Sequence, residues 1–178
     1  MKKKNYSYVI FLTSWGWTGF AASQKGLEAL VLPEKTKEDA VFRLKKSLGD
    51  NNIIGNNKGW ENLIEKIREY FKGKKIDFSD YRLNLDNYTV FQKKIYQTVK
   101  KIPYGETRSY REIAEISGYP KAYRAVGTTM KNNLIPLIIP CHRIIKSDGD
   151  LGGFSGGEGV ALKKKMIDLE SNGKKEDV

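Results

Sequence analysis

Cysteine and histidine are nearly missing from these 178 residues, which hold one of each. A single cysteine excludes an internal disulfide framework and a CxxC redox pair, and it leaves no second thiol to resolve a bond made at the first. One Cys and one His cannot assemble a Cys/His zinc site. A lone thiol of this kind suits a reducing compartment, so a cytoplasmic location is expected. Long apolar runs are missing too, since no stretch approaches the ~18 apolar residues of a membrane span. Met1-Lys2-Lys3-Lys4 resembles the charged start of a signal peptide. Asn5 to Leu12, however, is polar and aromatic, and no small-residue cleavage site follows it. A soluble chain with no membrane partner is expected. Internal repeats and long low-complexity linkers are not evident.

Acidic residues are in short supply. Against 21 Asp/Glu stand 32 Lys/Arg, a net charge of +11 with a pI near 9.6. The excess points to a polyanionic partner, most simply nucleic acid, or else to a lysine-rich solvated surface. It is spread evenly: 16 Lys/Arg against 10 Asp/Glu in residues 1–85, and 16 against 11 in 86–178. No tail carries it. The length gives room for one large or two small domains with a real core.

The one cysteine adjoins the one histidine, in Ile138-Ile139-Pro140-Cys141-His142-Arg143-Ile144-Ile145. Thiolate chemistry needs a sulfur nucleophile and a nearby group that takes its proton. The apolar residues on both sides predict short buried strands. Pro140 cannot donate a ladder hydrogen bond, which puts the pair where the chain leaves a sheet. The bland alternative is an inert buried thiol beside a hydrogen-bonded core imidazole.

Residues 6–13, 20–23 and 27–32 read as three strands of an antiparallel meander, the last ending at Pro33. Thr36 N-caps a helix whose apolar face is Val41, Phe42, Leu44 and Leu48. Residues 50–59 read as a polar loop, and Trp60, Leu63, Ile64, Ile67 and Phe71 as a second helix with a core-facing stripe. Phe91, Ile95, Val99 and Ile102 mark a third, ending at the Pro103-Tyr104-Gly105 turn. Ser109 and Glu112 form a capping box for a fourth, with Ile113, Ala114 and Ile116 facing inward. After Gly118-Tyr119-Pro120 comes a helix over 121–131, stopped at Asn132-Asn133. Helix, Gly-containing turn, helix is a helix-turn-helix outline, common and only weakly specific for DNA. Six glycines fall within residues 149–159, a loop of unusual backbone angles or close approach to a ligand. Their spacing fits no nucleotide cradle. Val160 to Leu169 closes the chain as a helix, with Lys163, Lys164 and Lys165 on its solvated face.

Pro140-Cys141-His142-Arg143 with its following isoleucines, Arg124-Ala125-Val126-Gly127 before it, and Gly152-Gly153-Phe154-Ser155-Gly156-Gly157 after it resemble the 6-O-alkylguanine-DNA alkyltransferases. These are also called methylated-DNA–protein-cysteine methyltransferases. The resemblance covers roughly residues 88–170, and residues 1–85 match only in layout. It implies an α+β fold in two domains. Residues 1–85 would hold a small antiparallel sheet with helices. Residues 86–178 would be mostly helical, with the helix-turn-helix and a short β segment at the active site. It implies a monomer acting on double-stranded DNA that contains alkylated guanine, with no cofactor and no metal. The expected place is the cytoplasm, with the nucleoid or the nucleus when the protein is engaged with DNA.

By the same resemblance Cys141 is the alkyl acceptor. His142 is its base through a water, and Glu170 orients the imidazole. In an extended segment adjacent side chains point apart, which favours a water bridge over direct contact. Tyr110 assists nucleotide rotation and donates a proton toward the departing guanine. Asn133 holds the active-site turns together. Arg124 enters the stack where the flipped base had been, with Ala125 and Gly127 on the same DNA-facing helix. Ser155, with the backbone around Phe154, contacts the guanine oxygen, and Ile144 completes the substrate-facing set. Taken alone, Tyr110, Arg124, Asn133 and Ser155 are ordinary core, surface, cap and turn residues.

Two departures stand out. Tyr123 replaces a usually small residue on the DNA-facing helix and bears on minor-groove fit. Phe154 replaces a common hydroxylated aromatic. The zinc ligands of some relatives are not here.

The chemistry suits the residues. An alkyl carbon on the guanine oxygen is a weak electrophile, so a soft thiolate attacks while protonation improves the leaving group. The product is a thioether, which implies one event per molecule. The nucleotide must first be flipped out of the duplex. Two other readings compete: a non-catalytic sensor of alkylated bases, which needs no cysteine, and a cysteine hydrolase, which turns over and needs oxyanion donors.

Overall fold

The computed structural model describes residues 5–49, 51–55 and 58–173. Met1 to Lys4 and parts of the 50–59 loop lie outside the described residues. The described chain falls into two compact units that divide after Asn84.

The first unit is built on a sheet of order β3-β2-β1-β4, from β1 (Asn5–Thr13), β2 (Gly16–Ser23), β3 (Gly26–Glu34) and β4 (Asn52–Gly55). The first three form the expected antiparallel meander. Two strands are longer than the sequence predicted. Gly16 and Gly19 lie within β2, and Pro33 within β3. Gly19 sits against the β1 backbone, where a Cβ would meet Val9 O at 2.3 Å. The predicted polar loop holds β4, which runs parallel to β1. Ile53 and Ile54 supply the β-branched residues for it amid asparagines.

Side chains alternate across β2. Ala21 faces α1 (Lys37–Leu48), whose Ala40, Leu44 and Leu48 are buried on the sheet. Phe20 meets Trp60 edge-on at 5.4 Å, on the side of α2 (Glu61–Phe71). Thr36 caps α1 as expected, accepting from Asp39 N. Phe42, expected inward, is 66% exposed. Ala40, at the helical repeat from Leu44, takes the inner place.

The second unit holds α3 (Val90–Val99), α4 (Tyr110–Ile116), α5 (Tyr123–Lys131) and α6 (Val160–Gly173). Both α3 and α4 begin with complete capping boxes, Thr89 with Gln92 and Ser109 with Glu112. Ile113 and Ala114 are buried, but Ile116 points outward. The Tyr96 hydroxyl donates to Thr129 O and ties α3 to α5. α5 starts at Tyr123 rather than Lys121, because Ala122 N still closes a turn on Tyr119 O.

Two short strands, β5 (Arg108–Ser109) and β6 (Ile144–Ile145), pair in parallel, Arg108 with Ile144 and Ser109 with Ile145. This register positions the site. Tyr110 follows β5 directly, and the Cys-His pair precedes β6 directly.

Candidate active site

Cys141, His142 and Arg143 form one turn of 3₁₀ helix. This corrects two expectations. The segment is not extended, and Ile138 and Ile139 are buried without forming a strand, with only an isolated bridge between Pro136 and Ile139. Pro140 therefore stands where the chain enters β6 through the turn, not where it leaves a sheet. The loop before the turn is held by Asn133. Its side chain donates to Ile139 O at 2.9 Å and accepts from Ile135 N at 3.0 Å. Leu137 within this loop has φ +73°, a left-handed conformation that a bulky L-residue rarely holds unless the surroundings enforce it.

Cys141 is 7% exposed and opens onto a cavity of about 530 Å³. Tyr110, Tyr123, Gly127, Phe154 and Ser155 line it, as do Met130, Lys131, Lys146, Gly152 and Gly153, which the sequence reading did not assign. Tyr110 is clasped closely. A Cβ on Gly152 would meet its hydroxyl at 3.2 Å, and one on Gly127 would meet its ring at 3.9 Å. The Ser155 hydroxyl donates to Lys131 O at 3.1 Å and pins the glycine loop to the end of α5.

Behind the cysteine lies a buried charge network. His142 Nε2 is 2.8 Å from Glu170 Oε1. Arg143 donates to both oxygens of the same carboxylate, each at 2.9 Å, and to Ile102 O at 2.6 Å. Gly105 N donates to Glu170 Oε2 at 2.9 Å. Burial alone would raise the Glu170 carboxyl, but the hydrogen bonds and charges of His142 and Arg143 outweigh it and hold it well below the carboxylate range. Burial pushes the His142 imidazole below its ordinary value, against the pull of Glu170. The ring is therefore neutral at pH 7. With Nε2–H donated to Glu170, Nδ1 is the basic nitrogen.

Lys163 is the largest correction. It was placed on a solvated face, and it is fully buried. Its ammonium donates to Ile144 O and Leu151 O, each at 2.5 Å, and sits 5.9 Å from the Tyr110 ring centroid. Burial brings it down to about 8, opposed by the charges of Cys141 and Asp150. Burial likewise raises the Cys141 thiol, opposed by the Asn133 hydrogen bond and the Lys163 charge. The signal was in the spacing: Lys163, Met166 and Glu170 recur at i, i+3, i+7 and are all buried on α6. The run Lys163-Lys164-Lys165 masked it.

The remaining expected residues divide. Arg124 and Ala125 are exposed on α5 and do not line the cavity. The Arg124 guanidinium lies 5.8 Å from the Tyr123 ring centroid. Ile144 is fully buried and is not among the residues that line the cavity. β6 pairing fixes it and turns its carbonyl to Lys163. Among the described residues no group of His, Cys, Asp and Glu could hold a metal, and no helix is long and apolar enough to cross a membrane.

Residues 90–172 match the DNA-binding domain of the 6-O-methylguanine DNA methyltransferase family. A methylated-DNA–protein-cysteine methyltransferase of Methanosarcina barkeri is 44% identical over 119 residues, 67% of this chain and 73% of its own length. The constitutive enzyme of that name from Bacillus subtilis is 36% identical over 161 residues, 85% of this chain and 94% of its own. The crystal structure of Mycobacterium tuberculosis OGT in complex with DNA superposes with a TM-score of 0.75 at 30% identity, covering 96% of this chain and 94% of that one.

Proposed function

This chain belongs to the methylated-DNA–protein-cysteine methyltransferase family, and from that membership we propose how its own residues carry the reaction. The protein repairs DNA by transferring an alkyl group from the 6-oxygen of guanine to its own cysteine. The observation that carries the residue-level reading is a cavity onto which Cys141 and Tyr110 both open, with His142 and Glu170 directly behind the sulfur.

The thiol proton passes through a water to His142 Nδ1, and Glu170 stabilises the imidazolium that forms. Lys163 stabilises the thiolate in the same dry surroundings. The sulfur attacks the alkyl carbon, an S–C bond forms and the C–O bond breaks. The electron pair goes to the guanine, which takes a proton from the Tyr110 hydroxyl. The proton held on His142 passes back through water to the Tyr110 phenolate, so both residues end neutral. Guanine and a thioether result. The thioether has no leaving group within reach of a second thiol, since the chain has none, so each molecule acts once. Outside the cavity, Arg124 on exposed α5 fills the gap left by the flipped nucleotide. A free thiol nucleophile belongs in a reducing compartment, and we place the protein in the cytoplasm with DNA.

The test is to treat the full chain with a free 6-O-alkylguanine base and weigh it intact. One stable alkyl adduct, mapped to Cys141 and lost in Cys141→Ser, is expected. No adduct would make the chain a sensor, and turnover without a lasting adduct would make it a hydrolase.

A further inference from the structure

α5 presents two different faces. Tyr123, Gly127 and Met130 recur at i, i+4, i+7 and all line the cavity. Arg124, Ala125 and Thr128 occupy the outward face and are exposed. Tyr123 thus belongs to the cavity stripe and not to the face that carries Arg124. The residue is 41% exposed, so it stands at the mouth, one helical turn before Gly127, which faces the Tyr110 ring across the cavity wall. A cavity of about 530 Å³ is roomy for one purine and a methyl group, so a flat ring at its rim adds a wall that would otherwise be missing.

We propose that Tyr123 is a specificity-determining wall of the alkylguanine pocket, which holds the flipped base and its alkyl group by ring contact. This rests on the reaction assigned above. A contact with the base must act wherever the base is held, whether free, in a single strand or in a duplex. A contact with the DNA groove must act only in the duplex. Aromatic contacts to bases tolerate any apolar flat partner and need no hydroxyl, so the ring and not its oxygen carries the effect. The Arg124 guanidinium beside the ring steadies it from outside without entering the cavity.

The experiment measures second-order rates of Cys141 alkylation for wild type, Tyr123→Phe and Tyr123→Ala. The substrates are free 6-O-benzylguanine and single- and double-stranded oligonucleotides carrying 6-O-methylguanine. Tyr123→Ala is expected to lose roughly tenfold on all three substrates, in line with the worth of one base-stacking aromatic. Tyr123→Phe is expected to stay within about twofold of wild type. Melting temperatures of the three proteins are measured alongside, since an exposed side chain should leave them equal. A loss confined to the duplex would overturn the proposal and make Tyr123 a groove contact. Unchanged rates in Tyr123→Ala, or a Tyr123→Phe as slow as Tyr123→Ala, would overturn it too. A wild-type chain that takes no adduct from any substrate would instead overturn the assigned reaction.

Discussion

Lys163 and Glu170 stand seven positions apart on α6, both buried. Glu170 is paired with His142 and Arg143 of the catalytic turn, and Lys163 is bonded to the carbonyls of Ile144 and Leu151 beyond it. Each predicts a separable failure. Lys163→Met keeps the length and removes the cation, so the thiol loses a charge that opposes the effect of its burial. Alkylation at pH 7 should fall roughly tenfold for each unit that the thiol rises. Rate should recover as pH increases, and a pH–rate profile with the free base checks it. The profile reports the coupled Cys141, His142 and Lys163 groups and not any one of them.

Glu170→Gln leaves Arg143 buried against a neutral amide. Breaking such a pair typically costs about 3–5 kcal/mol, to be read by denaturant unfolding. The slower alkylation expected with it should persist in protein that is fully folded.

At the scale of elements, α5 and α6 divide the work. α5 carries Arg124 on its exposed outward face and turns its other face to the cavity. Arg124→Ala should therefore slow repair of duplex DNA at least tenfold while reaction with free alkylguanine stays within about twofold, because only the duplex has a gap to fill. Comparing the two rates in one preparation checks this, and equal slowing would place Arg124 in the pocket or the fold.

Most of this was legible beforehand. The meander, the Ser109–Glu112 capping box, the helix stops at Gly and Asn, and the adjoining Cys-His pair follow from local spacing, while Glu170 came only with the family resemblance and the Thr89–Gln92 box was not read. What was not legible depended on tertiary burial. Three lysines in a row look like solvent-facing charge, and only the helical repeat joining Lys163 to Glu170 argued otherwise. A 3₁₀ turn between isoleucines looks like a strand, because Ile138 and Ile139 are buried for packing and form no strand, while only Ile144 and Ile145 pair. Phe42 and Ile116 show the converse, apolar side chains left outside because a smaller or better-aimed neighbour took the inner place. That Tyr123, tied from sequence to minor-groove fit, also lines the cavity was not legible, because helix phase alone does not say which side a cavity lies on.

For the whole molecule, the excess of cations and the buried network act under different conditions. DNA affinity should fall linearly with salt on logarithmic axes, as counterions are released from phosphates. Reaction with a free base should barely change. Acid should act on the fold. The folded-state values of Glu170 and His142 both lie below their ordinary ones, so the unfolded chain binds the extra protons as pH drops. Stability from His142 is present above about 6.5 and declines below it, and that from Glu170 is present above about 4.3 and declines as pH falls further. Melting temperature measured from pH 8 to pH 3 should therefore decrease in two stages, and Glu170→Gln should make the lower one smaller, leaving the share of Glu69, Glu112 and Asp150, which are also held low.

The lone histidine has a consequence for observing the protein at work. A chain with one imidazole gives one set of ring resonances in a nuclear magnetic resonance spectrum, with nothing to assign by elimination. That ring touches Glu170 on one side and follows the acceptor cysteine by a single peptide bond. Its nitrogen shifts should stay those of a neutral ring where an exposed histidine would already be titrating. They should move once, and stay moved, when Cys141 is alkylated. Spent and unspent molecules would then be counted in the same tube, without label or antibody, from a signal that composition alone made unique.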